Sequence, residues 1–142
     1  MEKRILFVCH GNICRSPMTE YIFKYLTKGQ CIVESRATSR EEIGNDIHPG
    51  TKEELTKHNI PFERHYAKQI TLEDYHNFDI IICFDNYNLN NLKRMFKEDT
   101  SKIIKLLDYD IDDPWYTRDF DRTYKEIYAG CIKLKNKLGK EY

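Results

Sequence analysis

Residues 5–20, Ile-Leu-Phe-Val-Cys-His-Gly-Asn-Ile-Cys-Arg-Ser-Pro-Met-Thr-Glu, constrain this chain more than any other stretch. The apolar run Ile5–Val8 stops at Cys9, small and polar residues follow, and Ser16-Pro17 opens a helical pattern. A strand, a tight loop and a helix N-terminus are therefore expected within sixteen residues. Such a loop turns several backbone N–H groups inward and adds the positive end of a helix dipole, an arrangement that suits an anion. Cys9 and Arg15 stand at its two ends. A thiol among N–H donors and beside a guanidinium gives up its proton readily, and an arginine grips two oxygens of a phosphate in a fork. The stretch reads as a cysteine nucleophile inside a phosphate cradle.

The remainder of the chain alternates strand and helix patterns. Lys3–Val8 reads as a buried parallel strand, because its apolar run Ile5–Val8 is continuous rather than alternating. Ser16 is the expected N-cap and Pro17 the first helical residue; Met18, Ile22, Tyr25 and Leu26 then recur on one face until Gly29. Cys31–Ser35 is a second short strand, and residues 36–50 have no period. A helix from Thr51 with a Thr51…Glu54 capping box is expected to run to Asn59. Thr71…Asp74 repeats that signature before a short helical turn. Asp79–Phe84 and Lys102–Leu107 are further strands, separated by a helix around Leu89, Leu92, Met95 and Phe96. The acidic segment Asp108–Asp113 is a loop, and Ile127, Cys131, Leu134 and Leu138 form the stripe of a C-terminal helix. The expected fold is a single α/β domain over residues 1–142, a three-layer sandwich with a four-stranded parallel sheet, flavodoxin- or Rossmann-like. Ligands of such sheets lie beyond the carboxyl ends of the strands, where the Cys9 loop falls.

Composition removes several alternatives. With 23 Lys+Arg against 23 Asp+Glu in 142 residues, no global field recruits nucleic acid or a membrane surface. No apolar run approaches a membrane span, and Glu2-Lys3-Arg4 leads straight into a short strand rather than a secretory signal, so a cytoplasmic location is expected. Five cysteines without a Cys-x-x-Cys spacing argue against a zinc site or a thioredoxin-like motif. Cys31, Cys83 and Cys131 lie in apolar patterns as small buried hydrophobes.

The segment Val8-Cys-His-Gly-Asn-Ile-Cys-Arg-Ser-Pro17 resembles the signature of the low-molecular-weight protein tyrosine phosphatases. The resemblance extends to Ser35-Arg-Ala-Thr-Ser39, Gly44-Asn45, His65-Tyr-Ala-Lys-Gln-Ile-Thr71, Phe78-Asp79…Asp85 and Asp113-Pro-Trp-Tyr116. It implies a hydrolase acting on protein phosphotyrosine or small aryl phosphates, releasing inorganic phosphate and working as a monomer, without cofactor or metal. In that role Cys9 is the nucleophile, Arg15 and the backbone of His10, Gly11, Asn12, Ile13, Cys14, Arg15 and Ser16 bind phosphate, and Asp113 is the general acid and base. Pro114 also restricts Asp113 to extended geometry, while Asp112 is the competing carboxylate.

The same resemblance implies that Asn12, Ser16, Ser35 and His65 brace the loop, and Asn12 tolerates a left-handed backbone. Ile13, Trp115 and Tyr116 are candidate walls for a substrate ring, the alternative for the aromatics being a lid packed on the protein itself. Cys14 is implied as a redox guard through a reversible disulfide with Cys9. His10 is expected to contribute its backbone; His48, His58 and His76 read as ordinary histidines. Arg40-Glu41-Glu42 replaces a usual aromatic, Arg36 stands where a small residue is common, and Lys68 replaces a usual arginine. Two rival readings share the loop: an arsenate reductase, which needs two further cysteines close together, and a non-catalytic phosphate-binding module, which has no use for both Cys9 and Asp113.

Overall fold

The computed structural model describes residues 3–97 and 100–140; the expected domain ends at residues 1 and 142 lie outside them. Four parallel strands form the sheet: β1 (Arg4–Cys9), β2 (Ile32–Ala37), β3 (Ile80–Cys83) and β4 (Ile103–Lys105), in the order β2-β1-β3-β4. The helices are α1 (Arg15–Thr27), α2 (Pro49–Lys57), α3 (Leu72–Asn77), α4 (Asn86–Met95), α5 (Pro114–Thr117) and α6 (Phe120–Lys140). The fold is the α/β sandwich expected from the alternating pattern.

Period-two alternation along β1 explains why the sheet carries two cores. Ile5, Phe7 and Cys9 face a cluster completed by Met18, Ile22 and Phe23 of α1, Leu55 of α2 and Ile127, Cys131 and Leu134 of α6. Leu6 and Val8 face the other side, with Tyr75 of α3, Phe78, Cys83 and Leu92 of α4. Ile5 to Val8 are fully buried because β1 is central and covered on both faces. At about 25 cal/mol per Å² of apolar area, a fully buried Leu, Ile or Phe side chain contributes roughly 1.5–3 kcal/mol.

Helix ends depart from the sequence expectations where side chains are needed elsewhere. Helix α1 begins at Arg15 with Cys14 as N-cap and no side-chain cap bond; Ser16 lies inside the first turn, its hydroxyl engaged at Cys9. Helix α2 starts at Pro49 with His48 as its cap, the His48 ring accepting from Gly50 N, so no box forms at Thr51. The Thr51 hydroxyl instead donates to Cys14 O at 3.5 Å. The box at Thr71 and Asp74 forms as expected, both bonds being present. Helix α5, four residues long, was too short for periodicity to register.

One close approach ties α2 to α6. A Cβ on Gly50 would lie 2.4–2.7 Å from ring atoms of Phe120, so only glycine fits there.

Candidate active site

Cys9 ends β1, and the loop that follows is fixed from below by the neighbouring connections. Thr38 N donates to Cys9 O at 2.9 Å, Ser39 N to His10 O at 3.1 Å and His48 N to Ile13 O at 2.9 Å. The site therefore sits at the carboxyl end of the central strand.

The Cys9 sulfur is surrounded by donors. Asn12 N lies 3.3 Å and Ser16 N 3.4 Å from Sγ, and the Ser16 hydroxyl lies at 3.0 Å. Asn12 Nδ2 donates into Ser16 Oγ at 2.8 Å, which leaves the hydroxyl proton free to point at the sulfur. The other Nδ2 proton goes to Ser35 Oγ at 3.0 Å, and Ser35 passes its own to Glu20 Oε1 at 2.6 Å. Asn12 Oδ1 accepts from Lys68 N, and Asn12 O accepts from His65 Nε2 at 2.7 Å. Every polar group of Asn12 is thus engaged, at a left-handed φ of 60°. Burial holds the His65 ring below its ordinary pKa, so the neutral tautomer protonated on Nε2 makes this bond. Asn12, Ser16, Ser35 and His65 are brought together, and Glu20, which sequence reasoning missed, closes the chain.

Arg15 is 2% exposed. Its Nη1 donates to Asp85 Oδ2 and to Ile111 O, both at 2.7 Å, and Nη2 lies 3.5 Å from Asp113 Oδ2. Its Nε is buried without a hydrogen-bond partner among the described residues. Burial pulls the guanidinium pKa down, but the electrostatic influence of Cys9, Asp113 and Asp85 outweighs it and raises the guanidinium above its ordinary range. Asp85 was quoted within the resemblance but given no role; its signal was a carboxylate just past the end of the β3 pattern, at the same sheet edge as Cys9.

Asp113 precedes Pro114 with extended φ −76° and ψ 117°, and its Oδ1 accepts from Trp115 N at 3.0 Å as the cap of α5. This geometry brings Asp113, and not Asp112, to Arg15. A cleft above Cys9 is walled by Ile13, Trp115 and Tyr116 together with Glu41 and Glu42. Trp115 rests edge-on against His48 and under Arg118, and is 42% exposed, so part of the ring packs on the protein and part faces the cleft. Tyr116 is 79% exposed. His10 does more than lend its backbone: its Nε2 pairs with Glu41 Oε2 at 2.7 Å on the rim. Arg36 does not line this cleft but binds Asp74 and Glu34.

The five cysteines are thiols without disulfides. Burial, followed by the nearby charges of Cys9 and Asp113, raises the Cys14 thiol well above its ordinary range. Cys83 and Cys131 point into the two cores on opposite faces of the sheet.

Fold and loop together define a doubly wound α/β protein with a Cys-x5-Arg loop at the end of its first strand. The family model for low molecular weight phosphotyrosine protein phosphatases matches residues 4–142. The chain belongs to that family, which is one of hydrolases. It is 40% identical to the low molecular weight protein-tyrosine-phosphatase YfkJ of Bacillus subtilis, over 96% of each chain. With the human low molecular weight phosphotyrosine protein phosphatase it shares 41% identity, over 92% of this chain and 90% of that one. The crystal structure of a low molecular weight protein tyrosine phosphatase from Streptococcus pyogenes superposes with a TM-score of 0.94 at 42% identity, covering 97% of this chain and 93% of the other. No helix among the described residues is long and apolar enough to cross a membrane.

Proposed function

We propose that the chain hydrolyses phosphotyrosine in proteins, and small aryl phosphates, through a cysteinyl-phosphate intermediate. The observation that carries this reading is the buried Arg15 guanidinium, fixed on one side by Asp85 and Ile111 with its Nε unpartnered beside the Cys9 loop. A buried donor without an acceptor is costly, and an equatorial phosphoryl oxygen supplies one.

In the first step Cys9 Sγ attacks phosphorus in line, and the bond from phosphorus to the phenolic oxygen breaks. Its electron pair leaves on that oxygen, which takes the proton of Asp113. Arg15 and the N–H groups of residues 10–16 hold the three equatorial oxygens as charge redistributes. In the second step water attacks phosphorus while Asp113 accepts its proton; the S–P bond breaks and inorganic phosphate departs. The Ser16 hydroxyl, 3.0 Å from Sγ, stabilises the thiolate that leaves. Ile13, Trp115 and Tyr116 receive the substrate ring; when a peroxide oxidises Cys9 to its sulfenic acid, Cys14 Sγ attacks the Cys9 sulfur, the S–O bond breaks, water leaves and a reversible disulfide guards Cys9. A reductase relay is disfavoured because Cys83 and Cys131 lie on opposite faces of the sheet.

Hydrolysis of an aryl phosphate by wild type, Cys9→Ser and Asp113→Ala tests the proposal. Absence of turnover by wild type rejects the enzyme reading; turnover that survives Cys9→Ser rejects the covalent mechanism.

A further inference from the structure

Away from the cleft, α2 and α6 place three donor groups face to face. Glu54 stands in the last turn of α2, His58 is the C-cap of that helix, and Asp121 lies in the first turn of α6. One donor atom from each lies within 4.8 Å of the others. Glu54 is only 7% exposed, and its Oε2 is buried without a hydrogen-bond partner among the described residues, with His58 Nε2 3.5 Å away. A buried carboxylate oxygen that accepts no hydrogen bond calls for a cation. The His58 ring lies flat on Tyr124, 3.8 Å between centroids and 2° between planes, which sets the plane of its donor nitrogen. The neighbouring cations are Lys57, 3.6 Å from Glu54 Oε1, and Lys125, 2.9 Å from Asp121 Oδ2. Both lysines are more than half exposed, so each swings into water at little cost.

We propose that Glu54, His58 and Asp121 form a site for a divalent transition-metal ion, with Zn²⁺ the fitting occupant. One imidazole nitrogen and two carboxylate oxygens are a zinc donor set, with water completing the tetrahedron. Glu54 Oε2 and the Nε2 of the cap residue His58 already lie 3.5 Å apart, so these two ligands need no change in backbone. The metal–donor distances of about 2.0–2.2 Å require the three side chains to draw together by small rotations. The ion would clamp α2 to α6, the two helices whose first residues carry Gly50 against Phe120 and His48 stacked on Phe120. This inference does not depend on the proposed reaction.

Titration of the intact protein with Zn²⁺, followed through the ring resonances of its histidines, separates this site from zinc bound at the Cys9 loop, where His10 and His65 respond. The expected result is a saturable shift of the His58 signals, with the midpoint weakened about tenfold in Glu54→Gln and in Asp121→Asn. Asp121 is half exposed, so Asp121→Asn keeps the test available if the buried substitution impairs folding. His58 signals that stay fixed at millimolar Zn²⁺, or a midpoint that moves less than about threefold in the folded variants, overturn the proposal.

Discussion

Asp85 Oδ2 accepts from Arg15 Nη1 at 2.7 Å across seventy residues of sequence, so the arginine of the loop is aimed by a strand end outside it. Oδ1 of the same Asp85 caps α4 through Asn88 N at 2.7 Å. Asp85→Asn preserves the cap and removes the charge. Because a displacement of about 1 Å in a reacting group can cost on the order of 100-fold, kcat/KM on an aryl phosphate is expected to fall by about 10- to 100-fold. Loss of a charged partner from a buried guanidinium is also expected to cost on the order of 2 kcal/mol of stability, read by urea unfolding.

Asp113 and Asp112 are neighbours with different surroundings, since only Asp113 meets Arg15 and caps α5. Asp113→Asn is expected to lower kcat by about 10²- to 10⁴-fold, with the larger loss on the more basic phenol leaving groups. Asp112→Asn is expected to leave that dependence on leaving group unchanged. Equal losses from the two variants across a series of aryl phosphates would refute the assignment.

Burial keeps His65 neutral, which links it to pH. Its folded pKa lies below the ordinary 6.5, so the unfolded chain takes up the proton first as pH falls. His65 therefore adds no penalty above pH 6.5, and stability is lost as pH drops below that value. His48 shifts the same way, by burial and then by the charge of Arg118. Thermal melts between neutral and mildly acid pH are expected to show a shallower decline in His65→Gln, which keeps a neutral donor toward Asn12.

Glu41 and Glu42 form the acidic side of the cleft, Glu41 paired with His10 and Glu42 with Asn45. Peptides with acidic residues beside the phosphotyrosine meet like charge there. Glu41→Gln and Glu42→Gln are each expected to raise kcat/KM for such peptides by about 2- to 5-fold at low salt, with the effect fading as salt is added. A small aryl phosphate serves as the control; peptides with basic and acidic flanks responding alike to both substitutions would contradict the prediction.

The strands, the two-sided cover of β1 and the ends of the Cys9 loop were legible because each is local: an apolar run, a stretch of small and polar residues, a proline. The extended backbone of Asp113 was legible because Pro114 follows it. Asp85 and Glu20 were not, since their roles arise from contacts made across the fold, with Arg15 and with Ser35. Ser16 and Thr51 misled for one shared reason. Each carries a good capping hydroxyl, and each spends it on the loop, at Cys9 Sγ and at Cys14 O. Nothing local to His58 points to Asp121, whose donor atom comes within 4.8 Å of it from sixty-three residues further along.

Asn12 occupies a position that tolerates almost no replacement. Glycine would accept the left-handed backbone and abandon Ser16, Ser35 and the Lys68 amide. Aspartate would match the shape but aim an acceptor at two hydroxyl oxygens that now receive protons. Glutamine would carry the right groups one carbon too far. A saturation library at position 12 selected for phosphate release is therefore expected to return asparagine alone, whereas the exposed rim at Glu41 admits many side chains.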